Sequence, residues 1–327
     1  MDGPGLDKAV GKGWTTGHLP WQVGRRVLIT GANSGIGYYT ALELARKGAH
    51  VLLGCRDKAR GEAALARLRG EVPEASAELA LLDLASLASA RAFAEAELAL
   101  ELPLDLLINN AGVMAPKQRL ETADGFELQF GTNVLGHFAL TMLLMPALAR
   151  AVGSPTQRPR VVTIASIAHK NGRLNFDDLQ STKKYSPMGA YQQSKLADLM
   201  FAFELRRRLG KAGPPAWGVM SVAAHPGVAR TNLFVAGKFG PVERLARRGV
   251  GVLIAALLNS EAQGAMPTLF AATAPDVADG GYYGPQGFKE MRGGDVGVAQ
   301  VAPQALDEAA AARLWTECER LTGTSLK

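Results

Sequence analysis

From Arg25 onward, short apolar runs alternate with longer stretches of helical period. RVLIT at 26–30, HVLLG at 50–54, AELALL at 77–82, LDLLIN at 104–109, RVVTIA at 160–165 and GVMSVAA at 218–224 read as six buried strands, with YYG at 282–284 a weaker seventh. Between them, 35–47, 57–69, 86–101, 123–150 and 190–210 carry helical signals, and Gly48 and Gly210 supply stops. This alternation predicts an α/β fold: one Rossmann-type, doubly wound parallel sheet of about seven strands, with helices on both faces. No repeat or low-complexity linker divides it, so a single catalytic domain over 24–327 follows an N-terminal arm, 1–23, that Trp14 and Trp21 could tie down. Irregular stretches at 170–189 and 228–262 follow the fifth and sixth strands, where an open parallel sheet binds ligands, and they read as substrate walls. Within the second, RLARRGVGVLIAALL at 244–258 suits a lid or packing helix better than contact with a membrane surface.

Composition narrows the function. The 327 residues, 47% hydrophobic and 20% charged, fit a globular chain, and the net charge of +6 permits an anionic ligand without requiring nucleic acid. Cys55 and Cys318 are too few and too far apart for a disulfide framework or zinc site, which fits a reducing compartment. The five histidines show no metal-ligand spacing, so no metal is expected. With no unbroken run of 18 apolar residues and no apolar core in the first 20, neither a membrane span nor a secretory signal is expected, and the reading is cytoplasmic.

The 37 glycines exceed average usage, and their placement is informative. Thr30-Gly31-Ala32-Asn33-Ser34-Gly35-Ile36-Gly37 joins the first strand to a helix. Gly31 suits a tight turn, Gly35 close approach to a pyrophosphate and Gly37 helix-to-strand packing, with Asn33, Ser34 and Ile36 between them at the helix N-terminus. The second strand ends Gly54-Cys55-Arg56-Asp57. Arg56 offers a guanidinium to a 2′-phosphate and Cys55 no carboxylate to a ribose, so NADP(H) is favoured over NAD(H), while Asp57 can cap the next helix. Asp83, with Leu84, follows the third strand where a carboxylate could meet adenine, or could cap the helix near Ser86. Asn110, Ala111 and Gly112 follow the fourth strand and are small enough to pass beside the adenosine ribose.

Tyr191 and Lys195 stand four apart in a helical segment, on one face. An ammonium beside a phenol favours the phenolate, which equips a tyrosine to exchange a proton with an alcohol or carbonyl oxygen. Ser166, just after the fifth strand, can hydrogen-bond the same oxygen, and no G-x-S-x-G elbow surrounds Ser166 or Ser194.

TGANSGIG, NNAG, Asn133 in GTNVLGH, Ser166, YQQSK and HPGVART at 225–231 occur in the order of the short-chain dehydrogenase/reductase family, which the chain resembles over 24–285. The resemblance implies that Ser166 positions the substrate oxygen, Tyr191 transfers the proton, Lys195 binds the nicotinamide ribose and Asn133 supports a proton-relay water. It also implies that Pro226, Gly227 and Thr231 seat the nicotinamide, and that the protein is a homodimer or homotetramer. For the last, LTMLLMPALA at 140–149 and LADLMFAF at 196–203 supply apolar surface that could pair or be core. CRD after the second strand, the FDDL insert and KYSPMGAYQQSKLA resemble the retinol dehydrogenase-like, NADP-preferring branch. The expected function is therefore NADP(H)-dependent interconversion of an alcohol with an aldehyde or ketone, on an apolar small molecule. A catalytically idle NADP-binding sensor is the alternative, disfavoured by the intact Ser166, Tyr191 and Lys195. A light-dependent reductase is a further one, disfavoured because neither cysteine falls in a substrate wall.

Overall fold

Strand formation follows from the apolar runs: in the central strands both faces bury once helices cover the sheet on both sides, while on the edge run 77–81 Glu78 and Leu81 stay exposed. The computed structural model describes residues 11–153, 158–211, 218–228, 259–293 and 295–326. Its strands are β1 (Arg26–Thr30), β2 (His50–Cys55), β3 (Ala77–Leu81), β4 (Leu106–Asn109), β5 (Arg160–Ile164), β6 (Met220–Ala224), β7 (Tyr282–Pro285) and β8 (Val296–Val298). Their spatial order is β3-β2-β1-β4-β5-β6-β7-β8, parallel throughout except for β7 against β8. Val27 stands beside both Val51 and Leu106, so the order reverses between β1 and β4 and opens a crevice at the carboxyl ends of those strands.

The helices are α1 (Gly35–Arg46), α2 (Lys58–Glu71), α3 (Leu87–Ala99), α4 (Gly136–Arg150), α5 (Pro187–Lys211), α6 (Glu261–Thr273) and α7 (Glu308–Thr322). One core lies between the sheet and α1, α2 and α6; the other lies on the opposite face under α3, α4, α5 and α7.

Three features depart from the sequence reading. The sheet has an eighth strand, VGV, too short to carry a periodic signal and formed because it pairs antiparallel with β7. The helical stretch expected over 123–150 is a loop to Phe126, with a bridge between Glu121 and Glu127, and then a π-helical turn, Phe130–Leu135, that runs into α4. Finally, α7 covers the apolar sides of α4 and α5: Trp315 lies 4.9 Å from the Phe138 ring and 5.9 Å from Phe201, with the Arg208 guanidinium 4.5 Å above it. Met142, Met145, Leu148, Leu199 and Met200 are buried, so of the two readings of these runs, pairing surface or core, these residues take the second.

Among the described residues one helix, Phe130–Arg150, is long and apolar enough to cross a membrane by length and composition, but 83% of its apolar window is buried within the fold. In the arm, Trp14 packs edge to face on Phe270 at 5.5 Å, whereas Trp21 is 71% exposed.

Candidate active site

A cleft of about 430 Å³ runs along the carboxyl ends of the strands. At one end β1 turns into α1. Gly31 takes φ +69, and its amide donates to Gly54 O at 2.7 Å, tying the turn to the end of β2. A Cβ on Gly37 would stand 2.5 Å from both Asn110 Nδ2 and Gly31 O, so only glycine lets α1 approach this closely. The Ser34 side chain makes no capping bond, which leaves the first N–H groups of α1 directed at the cleft lined by Asn33, Ser34, Gly35, Ile36 and Gly37. Backbone donors, a helix dipole and a wall with no room for a Cβ fit a pyrophosphate.

The Thr30 hydroxyl organises the floor. It accepts from the Asn110 and Ala111 amides at 2.9 Å each and donates to His137 Nε2 at 2.8 Å, while His137 Nδ1–H donates to the Asn133 carbonyl at 2.8 Å. Burial and the nearby Lys195 charge pull His137 down to about 3, so it stays neutral and both of its bonds persist. This fixes Asn110, Ala111 and Gly112 along the cleft.

At the β2 end, Arg56 and Arg60 both line the cleft and are exposed, and Asp57 Oδ1 accepts from Arg60 N at 3.0 Å as the N-cap of α2. Burial pushes the neighbouring Cys55 thiol up to about 11 against the pull of the Ala32 and Asn33 amides, so it presents no negative charge to a ribose. Asp83 and Leu84 line the same end; Asp83 Oδ1 accepts from Ala85 N, and the cap of α3 falls to Ser86 instead.

At the other end stand Ser166, Tyr191, Lys195, Pro226 and Gly227, all lining the cleft. Ser166 lies two residues beyond β5 and caps a short 3-10 turn, with Oγ accepting from Ala168 N at 3.2 Å. Its carbonyl accepts from His169 Nδ1–H at 2.6 Å, and His169 Nε2 accepts from Ala302 N at 3.2 Å, so a residue after β8 braces the serine turn. Lys195 Nζ donates to Ile164 O and to Asp198 Oδ2, both at 2.9 Å.

Asn133 is not brought to the cleft wall. Fully buried in the π turn, its amide accepts from Val113 N at 2.8 Å and donates to Val113 O and Ser194 Oγ at 3.0 Å. It braces the cleft-lining Val113 and the helix that carries Tyr191. Thr231 lies outside the described residues, as does the 244–258 run; of the two wall stretches, Met188 and Val228 reach the cleft. Sequence reasoning passed over Thr30 and Arg60. Arg60 stands four residues after Arg56, a spacing that could have flagged it, whereas the Thr30 contacts involve partners about 80 and 107 positions away.

A glycine turn built for a pyrophosphate, together with a tyrosine, a lysine and a serine facing one cleft, defines a nicotinamide-dependent oxidoreductase. The family profile described as short chain dehydrogenase matches residues 25–238. Polyprenol dehydrogenase of Mus musculus is 44% identical over 93% of this chain and 86% of its own length, and retinol dehydrogenase 13 of Homo sapiens is 42% identical over 92% and 85%. Among solved structures, a Beutenbergia cavernae protein with bound NADP, described by inference as an NAD(P)-dependent gluconate 5-dehydrogenase, is 27% identical, with 80% of this chain and 95% of that one covered and a TM-score of 0.60. The chain belongs to the short-chain dehydrogenase family, in its retinol dehydrogenase-like branch, and acts on alcohol or carbonyl groups with a nicotinamide dinucleotide.

Proposed function

We propose that the protein is an NADP(H)-dependent oxidoreductase interconverting a long apolar alcohol, of the polyprenol or retinol kind, with its carbonyl compound. The observation that carries this is one cleft lined at one end by the glycine turn and two arginines, and at the other by Ser166, Tyr191 and Lys195. Between and around the reacting groups, Val113, Met114, Ile167, Ala168, Met188 and Val228 make an apolar wall, which suits an isoprenoid chain better than a sugar. Arg56 and Arg60 offer two guanidinium groups to a 2′-phosphate, which supports NADP(H).

When bound, the nicotinamide supplies or accepts the hydride at the substrate carbon. In reduction, the Tyr191 O–H donates its proton to the carbonyl oxygen as that oxygen gains charge; in oxidation, the phenolate oxygen takes it back. Ser166 Oγ donates a hydrogen bond to the same oxygen and fixes its place. Lys195 has three N–H groups, of which two are held by Ile164 and Asp198 and the third is left for the cleft.

Tyr191→Phe keeps the ring and removes the proton. With NADPH and all-trans-retinaldehyde or a short polyprenal, turnover should fall about a thousandfold, while NADPH affinity, read from its fluorescence, should stay within about threefold of wild type. Full turnover in Tyr191→Phe overturns the proposal.

A further inference from the structure

Tyr191, Lys195 and Asp198 recur along one face of α5 at successive turns. Lys195 is 5% exposed and Asp198 is 3% exposed, so the ammonium and its partner carboxylate are both removed from bulk water. A desolvated ammonium loses its proton readily unless an anion stands beside it. The groups that face the pair from other elements supply none. His137 of α4 is neutral, and burial raises the Cys318 thiol of α7 and holds it protonated. From β5 comes the Ile164 carbonyl. Among the described residues, that leaves Asp198 as the anion in contact, 2.9 Å from Nζ. Burial alone would lower Lys195, and the Asp198 charge, followed by Tyr191, more than reverses this.

Sequence spacing does not demand this pair. The Tyr-x-x-x-Lys pattern fixes the relation of Tyr191 to Lys195 and says nothing of the residue one turn further on, where any apolar side chain would suit a helix packed between sheet and α7.

We propose that Asp198 is a positioning residue for the reaction: its carboxylate supplies the countercharge that keeps Lys195 a cation in its desolvated seat and, with Ile164, turns the remaining N–H toward the cleft. The inference rests on the role given to Lys195 under the proposed function. Its consequence is a specific pH dependence. Without the carboxylate, the buried ammonium gives up its proton at lower pH, and both cofactor grip and proton transfer fail on the alkaline side first.

The test is Asp198→Asn, which keeps shape and an acceptor oxygen but no charge, with Asp198→Ser as a second, smaller neutral variant should the first not fold. NADPH affinity by fluorescence and aldehyde turnover are both followed from about pH 6.5 to about pH 9.5, with thermal unfolding confirming a folded protein at each pH. At the acid end Asp198→Asn, which keeps an acceptor for Nζ, should lie within about threefold of wild type. By about pH 9 both readouts should fall tenfold or more below it, the alkaline midpoint having moved down by about one unit or more. A constant loss at every pH, or a profile that overlays wild type, overturns the proposal. Lys195→Met is measured alongside. If it keeps wild-type affinity and turnover, the assignment of Lys195 itself has failed, a result separate from either outcome for Asp198.

Discussion

At the β1–β2 end of the cleft the binding surface is largely backbone, whereas at the β5–α5 end it is side chains braced by other side chains. The first end is made by a turn of eight residues, Thr30 to Gly37, whose geometry is set by glycine and whose donors are helix N–H groups. The second depends on contacts between distant positions. His169 joins Ser166 to Ala302, Asn133 joins Val113 to Ser194, and Glu290 accepts from Lys170 Nζ and Gln300 N, both at 2.7 Å. One end fails when a side chain is added, and the other when one is removed or changes charge.

Adding volume at the backbone end should have the largest effect on cofactor affinity. In Gly37→Val, the new Cβ would meet Asn110 Nδ2 and Gly31 O at 2.5 Å, and the second of these is backbone that cannot swing aside. Displacing the turn removes several aligned donors at once. NADPH affinity should drop by at least about a hundredfold, the equivalent of two charge-assisted hydrogen bonds, while far-ultraviolet circular dichroism stays that of an α/β fold. Retained affinity with a shifted turnover would mean that the two ends are not separable in this way.

The same division explains what could be read before the fold was known. The glycine turn, Arg56 and the Tyr191–Lys195 spacing are local signals, each carried by neighbours or by one helical turn, and strand-helix alternation is visible in any α/β chain. The bracing is not local. Nothing near Ser166 indicates that residue 302 will hold its turn, and nothing near Asn133 indicates that its amide will hold Val113 and Ser194. The π turn that places Asn133 consists of residues helical in composition, so the sequence shows a helix and not its widened start. Likewise, the apolar runs on α4 and α5 are surface or core depending on whether something covers them, and the cover, α7, arrives more than 100 residues later.

A milder change at the backbone end tests its electrostatic part. Arg56→Ala with Arg60→Ala removes both guanidinium groups from the cleft rim without altering the turn. NADPH affinity should weaken by about 10- to 100-fold and NADH affinity by less than about threefold. The NADPH loss should shrink as salt rises, because both groups are exposed. Equal losses for the two cofactors, measured by fluorescence titration, would remove the 2′-phosphate from their role.

The smallest expected effect belongs to the braced end and is one of stability. His225, just after β6, is buried; Nδ1 accepts from Gly227 N at 3.2 Å, and Nε2 has no hydrogen-bond partner, with Glu290 Oε2 4.0 Å away. Burial, with the nearby Lys170 charge, pulls it down to about 3 from an ordinary 6.5. Because the folded value lies below the unfolded one, the unfolded chain takes up a proton first. The stabilisation is therefore complete above pH 6.5 and is lost as pH falls from there toward 3. One unit below the ordinary value the loss is about 1.4 kcal/mol. His225→Asn, neutral at every pH, should be less stable than wild type near pH 7.5, since it gives up ring packing against Tyr282, 5.3 Å away between ring centres. That gap should narrow by about 1.4 kcal/mol at about pH 5.5 in urea unfolding. Asp198, whose carboxyl burial raises, acts in the opposite direction, but it does so in both proteins and cancels in the comparison. A gap that stays constant with pH would show that His225 takes up its proton without unfolding, with Glu290 near enough to receive it. The braced end would then tolerate a buried charge that its packing argues against.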